Sequence, residues 1–200
     1  MISITAFGRV AEGKMVHRSG AKPGDRVVVT GTIGDAALGL DILTRGAVAT
    51  VLADDAAAKE MLVGRYRVPQ PRNALAEAVR DHASAAMDVS DGLAGDLAKL
   101  CAASGVSAVI DARSVPLSAG AATLLARGTV GIEALVSGGD DYEILCAIPE
   151  NRFEAFAQAA RQAEVAVTCI GTVIAGPAVP RFLDNEGREI ALQRLSYSHF

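Results

Sequence analysis

The sequence predicts an α+β domain, with mixed α/β layers in which helices pack against a mixed sheet. Short apolar runs with the period of a strand alternate along the chain with segments whose apolar residues recur at helical spacing. Glycine and proline, which number 20 and 7 among the 200 residues, mark the breaks between these segments. Half of the residues are hydrophobic, so the chain can bury a substantial core. These patterns predict the layers of the fold but not the order of its strands.

Composition and charge exclude several functional classes. The formal net charge is −4 and the isoelectric point is about 5.4, so no basic stripe is available to neutralise nucleic-acid phosphates. No run reaches the roughly 18 to 20 apolar residues that a membrane-spanning helix needs. Cys101, Cys146 and Cys169 lie in apolar runs without CxxC spacing, which predicts buried thiols in a reducing compartment. We therefore expect a cytoplasmic protein that acts on small molecules and binds neither nucleic acid nor membrane.

The first 50 residues predict three strands and a helix. Residues 2–7 alternate like a half-buried strand, and because no element precedes them, we expect the chain to begin inside a fold. Further strands are predicted at 15–18 and, after a turn, at 26–30. From Asp35 the apolar spacing is helical as far as Leu43, and Gly46 is expected to end that helix.

A proline-rich segment at 68–71 is the best candidate for an internal boundary, because proline cannot continue a helix. A helix at 54–66 is predicted before it. After it, helices and strands alternate again. The predicted helices are 73–82, 93–104, 119–126, 131–135 and 151–162, and the predicted strands are one that ends at Met87 and two at 107–111 and 142–148.

The most informative motif is MDVSDGL at residues 87–93, where a buried strand meets a helix. Asp88 and Asp91 are three residues apart in this connection, so their carboxylates can project into one cleft and supply the hard oxygen ligands that Mg²⁺ prefers. The N-terminus of the following helix favours phosphate. The spacing alone leaves a second interpretation open, in which Ser90 or Asp91 only caps the helix and Asp88 is a solvated loop acid.

A second acidic motif, SGGDDYE at residues 137–143, follows two short predicted helices. Its glycines permit a close approach of the backbone to a ligand. The same pattern is also typical of an ordinary acidic loop that enters a strand. Arg18 precedes the tight turn at 22–25, where it can pair with a phosphate or simply lie in solvent.

Other catalytic classes find no support in the sequence. The three histidines, His17, His82 and His199, are scattered without metal-ligand spacing. Residues 31–35 lack the lysine and the spacing of a phosphate-binding GxxxxGK[ST] loop, and Asp35 is expected to act as a helix cap or first-turn acid. No GxSxG or HRD motif is present. We assign no residue as a catalytic acid, base or nucleophile.

Four segments, taken in order, closely resemble the thiamine-phosphate kinase family: ISITAFG (residues 2–8), RSGA (18–21), DVSDGL (88–93) and GGDDYE (138–143). The likeness covers the whole chain. That family belongs to the aminoimidazole ribonucleotide synthetase-like superfamily, whose members are two-domain proteins that use ATP. The resemblance implies that residues 1–20 are a remnant of the N-terminal ATP-binding domain and residues 21–200 are the C-terminal synthetase-like domain.

The activity that the resemblance implies is transfer of the γ-phosphoryl group of ATP to thiamine monophosphate, which yields thiamine diphosphate. Mg²⁺ would be the cofactor, because phosphoryl transfer depends mainly on positioning and on neutralising charge. A homodimer is expected for the full-length family. By matching of motifs, Asp88 and Asp91 would bind Mg²⁺, Ser90 and Arg18 would bind ATP, and Asp140 and Tyr197 would bind thiamine monophosphate, with the Tyr197 ring facing the thiamine.

Two departures from the family pattern leave other functions open. Many relatives have glutamate where this chain has Asp140. The longer members also carry an N-terminal domain that supplies further metal-binding acids, so we expect the active site of this short chain to be incomplete. The alternatives are a catalytically silent domain that binds a ligand or a partner, and another ATP-dependent synthetase of the same superfamily.

Overall fold

One mixed sheet organises the computed structural model, which describes residues 4–5 and 7–196. The strands of the described residues are β1 (Arg26–Thr30), β2 (Ala85–Val89), β3 (Val106–Asp111), β4 (Glu143–Ile148), β5 (Val167–Ala175) and β6 (Arg181–Leu183). Their order across the sheet is β2-β4-β1-β5-β3-β6. Neighbouring strands are antiparallel except β3 and β6, which are parallel. The predicted mixed sheet is therefore confirmed.

The helices lie between the strands in sequence, as the alternating periods predict. They are α1 (Asp35–Leu43), α2 (Ala47–Val51), α3 (Ala56–Arg67), α4 (Ala76–His82), α5 (Leu93–Ser104), α6 (Ala119–Ala126), α7 (Ile132–Val136) and α8 (Phe153–Gln162). Short 3₁₀ turns at 73–75 and 150–152 lead into α4 and α8. Within the described part of the chain, every helix is too short or too polar to cross a membrane.

The central strand β1 buries side chains on both faces of the sheet. Val27 and Val29 pack into a core with Leu97 of α5. Val28, which points the opposite way because successive strand side chains alternate, packs with Phe156 of α8. The sheet is thus covered on one face by α5 and on the other by α4 and α8, and burial of each large apolar side chain contributes about 1.5–3 kcal/mol. A third cluster joins α1, α2, α3 and α6 beside the sheet.

Several predictions about the first 71 residues are wrong. Residues 15–18 do not form a strand, because the backbone meets β2 through a single hydrogen bond from the Ala86 amide to the His17 carbonyl. The predicted strand at 2–7 lies partly outside the described residues, and its described members are not in a strand. The expectation that Gly46 closes α1 is confirmed, because its amide donates to the Asp41 carbonyl at 2.8 Å, although Gly46 has an extended backbone and is also the N-cap of α2.

The proline-rich segment is a loop inside one domain and not a boundary. It is non-helical, as predicted, and α3 ends at Arg67 just before it. However, β1 precedes the loop in sequence and pairs with β4 and β5, which both follow it. The two sides of the loop therefore share one sheet. The prediction of three buried thiols also needs a correction, because Cys169 is only half-buried.

Candidate functional site

The turn between β2 and α5 carries the two acids that the sequence singles out. Asp88 lies on β2, the edge strand of the sheet, opposite Ile144 of β4, and its side chain is exposed. Asp91 follows in the turn and is half-exposed. Gly92 then adopts a φ of 103°, and a Cβ atom there would lie 2.7 Å from the backbone carbonyl of Ser137. Only glycine allows this turn to pack so closely against the second acidic loop.

A fully buried aspartate on α5 orders the turn. One carboxylate oxygen of Asp96 accepts hydrogen bonds from the backbone amides of Ser90 and Asp91, both at 2.9 Å. Its other oxygen accepts from the ammonium of Lys99 at 2.8 Å. Since Gly92 is the N-cap and no side chain caps α5 directly, the interpretation of Ser90 or Asp91 as a simple cap is wrong. Asp91 instead pairs with Lys99, whose Nζ lies 2.5 Å from its carboxylate.

The second acidic loop, residues 137–142, is bonded directly to this turn. The Asp140 amide donates to the Ser90 carbonyl, and the Tyr142 amide donates to the Val89 carbonyl, each at 2.8 Å. Asp140 and Tyr142 have φ values of 70° and 50°, a left-handed conformation that costs about 1–2 kcal/mol for a residue with a Cβ. Strain of this kind is common at binding and catalytic sites. The two motifs therefore form one continuous surface.

The pKa of the Tyr142 phenol is raised by its surroundings. Its side chain is partly exposed. Burial raises the pKa of the phenol, and the negative charges of Asp140, Asp88 and Asp91 raise it further, because all three disfavour a phenolate. Three of the predicted site residues therefore lie close enough to Tyr142 for their charges to act on its phenol.

Asp141 lies beneath the loop and points away from this surface. Its buried carboxylate accepts hydrogen bonds from the Gly34 amide at 2.7 Å and from the Ala36 amide at 3.2 Å, at the N-terminus of α1. Burial raises the pKa of Asp141 to about 7, although these two amide bonds oppose the rise. The nearby charge of Asp35 raises it further. The interpretation of the motif as an ordinary acidic loop thus fits Asp141 but not Asp140.

The Glu143 side chain connects the end of the second acidic loop to two arginines that are distant in sequence. Its fully buried carboxylate pairs with Arg65 of α3 at 2.6 Å and with Arg72 of the proline-rich loop at 2.5 Å. The Thr30 hydroxyl donates to the same carboxylate at 2.6 Å. The Nη1 atom of Arg65 is buried and has no hydrogen-bond partner among the described residues. Two cations and a hydroxyl compensate the buried charge and fix the start of β4.

A cleft of about 540 Å³ opens beside the acidic surface. Its walls are mainly apolar and come from the proline-rich loop, α4 and β4, with Val16 from the N-terminal segment. Asp88 and Tyr142 line one side of it. A volume of this size suits a small-molecule ligand.

The two remaining predicted site residues are Arg18 and Tyr197. Arg18 is exposed and follows His17, whose carbonyl bonds to β2, but within the described part of the chain no ion pair or hydrogen bond holds it against the Asp88 turn. Tyr197 lies outside the described residues. Its predicted contact with thiamine monophosphate therefore stays a prediction.

The acids present fit part of a magnesium site. Carboxylate oxygens are the ligands that Mg²⁺ prefers, and Mg²⁺ commonly takes one or two carboxylates with water and substrate phosphates filling its other positions. Among residues 4–5 and 7–196, no three histidines, cysteines or acids are grouped so as to hold a metal ion by themselves. Asp88 and Asp91 would therefore hold Mg²⁺ only together with water, phosphate or ligands from another segment.

Sequence reasoning missed four residues of this site. Asp96, Lys99 and Arg65 lie outside both motifs, and Glu143 ends the second motif without a predicted role; all four act through side-chain contacts that form only when the chain folds. The position of Asp96 in the first turn of α5 was the one available signal, because acids there complement the helix dipole. That signal does not indicate that the side chain folds back onto the preceding turn.

A family model agrees with the fold and the motifs. The chain belongs to the family described as AIR synthase related protein, C-terminal domain, whose model matches residues 22–183. Within this class the chain is similar to thiamine-monophosphate kinases. The thiamine-monophosphate kinase of Caulobacter vibrioides is 42% identical over the whole chain, which covers 54% of that relative.

Solved structures give the same likeness. Thiamine-monophosphate kinase from Stenotrophomonas maltophilia K279a has a TM-score of 0.77 at 35% identity, over 90% of this chain and 56% of that one. AaThiL, solved in complex with AMPPCP and TMP, has a TM-score of 0.73 at 29% identity, over 92% of this chain and 54% of that one. These likenesses confirm the predicted synthetase-like fold and the resemblance to thiamine-phosphate kinases. The chain spans about half the length of the relatives that it matches.

Proposed function

We propose that this chain is the C-terminal part of a cytoplasmic transferase that phosphorylates thiamine monophosphate with ATP and Mg²⁺. In the reaction, a terminal phosphate oxygen of thiamine monophosphate forms a bond to the γ-phosphorus of ATP while the bond from that phosphorus to the β,γ-bridging oxygen breaks. The products are thiamine diphosphate and ADP. The observation that carries the proposal is the direct bonding of the two acidic motifs, through backbone hydrogen bonds from the Asp140 amide to the Ser90 carbonyl and from the Tyr142 amide to the Val89 carbonyl.

Each side chain has a physical role in this proposal. Asp88 and Asp91 hold Mg²⁺, which neutralises charge on the transferred phosphoryl group. Ser90 lies in the turn before α5, whose N-terminus favours phosphate, and contacts ATP. Asp140 faces the thiamine monophosphate. Arg18 pairs with an ATP phosphate and Tyr197 offers its ring to the thiamine, as the matching of motifs implies.

The proposal includes a wider assembly. Residues 1–20 belong to an N-terminal ATP-binding domain and residues 21–200 form the C-terminal synthetase-like domain. The family model of the C-terminal domain supports this division, because its match begins at residue 22. The full-length protein is a homodimer in this proposal.

Two observations favour a second candidate, a catalytically silent domain that binds a ligand. Asp88 and Asp91 are not joined by a third metal-binding residue within the described part of the chain. Lys99 also neutralises Asp91. A chain of this kind would bind ATP and Mg²⁺ without turnover.

Calorimetric titration of the chain with Mg·ATP tests the shared part of both candidates. We expect binding to weaken by at least about tenfold in Asp88→Asn, because a charged ligand to Mg²⁺ is lost. The matched control is Asp54→Asn, since Asp54 is exposed and precedes α3 on another part of the molecule. Equal affinities for the two variants would count against a nucleotide site at Asp88.

A further inference from the structure

We propose that Lys99 is the resident cation of the Asp91 site, so that a divalent ion binds Asp91 only by displacing the Lys99 ammonium. The inference rests on the proposed role of Asp91 as a metal ligand. It assigns to Lys99 control over the affinity of the site for divalent ions.

The geometry places the ammonium where it competes directly with an ion. Lys99 lies two turns into α5, on the helix face that looks back towards the turn. Its Nζ atom is 2.5 Å from an Asp91 oxygen and 2.8 Å from an Asp96 oxygen. One cation thus bridges a half-exposed carboxylate and a buried one.

Loss of the Lys99 ammonium would affect the two carboxylates differently. Asp96 keeps two backbone amide donors on its other oxygen when the ammonium leaves. For Asp91, Lys99 is the one cationic partner among the described residues. Loss of Lys99 therefore frees Asp91 more than it weakens the turn that Asp96 orders.

The charges support the same conclusion. An ordinary lysine is cationic at neutral pH, and the ammonium of Lys99 lies between the carboxylates of Asp91 and Asp96. A divalent ion at Asp91 would lie within a few ångströms of that charge and repel it. The flexible four-carbon side chain of lysine lets the ammonium move into solvent.

Binding of Mn²⁺, followed through the electron paramagnetic resonance signal of the free ion, tests the proposal without ATP or thiamine monophosphate. We expect Lys99→Met to bind Mn²⁺ about fivefold more tightly than the wild type at low ionic strength, since a half-exposed charge pair is worth a modest, salt-dependent energy. Lys99→Arg keeps the charge and is expected to bind like the wild type. Lys59→Met is the control, because among the described residues the Lys59 ammonium donates only to the Ala53 carbonyl.

Two further variants keep the test decisive. Lys99→Gln can still donate to Asp96 and replaces Lys99→Met if that variant does not fold. In an Asp91→Asn background, Lys99→Met is expected to leave the affinity for Mn²⁺ unchanged.

The proposal is overturned if the folded, uncharged variants bind Mn²⁺ no better than the wild type. It is also overturned if the gain survives in Asp91→Asn or if no variant binds Mn²⁺ at all. Because the readout is ion binding alone, its failure is distinguishable from a failure of the proposed phosphoryl transfer.

Discussion

Glu143 connects three parts of the molecule through one buried carboxylate. It follows the strained residue Tyr142, and it pairs with Arg65 and Arg72 from two other elements. The position of the acidic surface therefore depends on a side chain that does not itself face the surface. A buried ion pair adds little stability compared with an apolar pair, but removal of one partner is costly.

We expect Glu143→Gln to destabilise the protein by about 3 kcal/mol, because it leaves two arginines without their buried counter-charge. Urea unfolding measures the change. The matched control is Glu150→Gln, which removes an exposed pair with Arg26 and is expected to change stability much less. Equal effects of the two substitutions would contradict the role assigned to Glu143.

Asp141 gives the protein a pH dependence with a definite sign. Burial raises its pKa to about 7 in the folded state, while the ordinary value is 3.8. Between these values the folded state keeps a proton that the unfolded state releases, so stability falls as the pH rises from about 4 to about 7. The Asp141→Asn variant is expected to lack this pH dependence of the free energy of unfolding.

Urea unfolding at pH 5, 6, 7 and 8 checks the expectation. The free energy of unfolding of the wild type, relative to that of Asp141→Asn, should decline up to about pH 7 and then level off. A constant difference between the two proteins across this range would show that Asp141 does not titrate as the structure indicates.

Single residues also show what a sequence pattern can and cannot predict. Asp88 and Asp91 were recognisable because acids beside a glycine at a strand-to-helix connection form a local pattern, and Asp140 was recognisable because it follows two glycines in a loop that enters a strand. Lys99 was not, because its role needs the backbone of the turn to fold back over the first two turns of α5. The opposite roles of the neighbours Asp140 and Asp141 depend on which side of the loop each faces, and the sequence does not encode this locally.

At the scale of elements, the turn at 90–92 and the loop at 137–142 form one unit. One backbone hydrogen bond joins them, from the Asp140 amide to the Ser90 carbonyl, and a second joins the loop to Val89 at the end of β2. Gly92 allows the contact because it has a positive φ and no Cβ that would meet Ser137. The close fit of the two motifs is therefore a property of the backbone.

We expect Gly92→Ala to cost about 2–3 kcal/mol, because backbone strain and a steric clash add together. Gly105→Ala is the matched control: Gly105 also has a positive φ, but a Cβ atom there would meet nothing within 4 Å, so only strain of about 1 kcal/mol is expected. Thermal unfolding compares the two. A Gly92→Ala variant as stable as Gly105→Ala would show that the turn and the loop are not tightly packed.

Elements with a clear local signal were predicted well. The bounds of α5 were predicted to the residue, since Gly92 and Gly105 flank a run of helical spacing. The strand at 15–18 was wrong because alternation alone does not supply a ladder of hydrogen bonds. Gly46 closes α1 as expected, but the sequence did not indicate that it is also the N-cap of a second short helix, α2.

At the scale of the whole molecule, the order of the strands places the site. Strand β2 occupies the edge of the sheet and β4 lies beside it, so the ends of these neighbours bring the two motifs together. No local pattern predicts this pairing, because the two strands are separated by α5, β3, α6 and α7 in the chain. The fold class was predictable from periodicity, whereas the geometry of the site depends on long-range pairing.

The central claim is that Asp88 and Asp91 serve a kinase whose other half lies in an N-terminal domain. Formation of thiamine diphosphate from ATP, Mg²⁺ and thiamine monophosphate tests it, with this chain fused behind the N-terminal domain of a longer relative such as the Caulobacter vibrioides kinase. We predict product from the fusion protein, a loss of at least about 100-fold in turnover in its Asp88→Asn form, and little change in its Asp54→Asn form. A folded fusion protein without product, or one whose turnover survives Asp88→Asn, would contradict the claim.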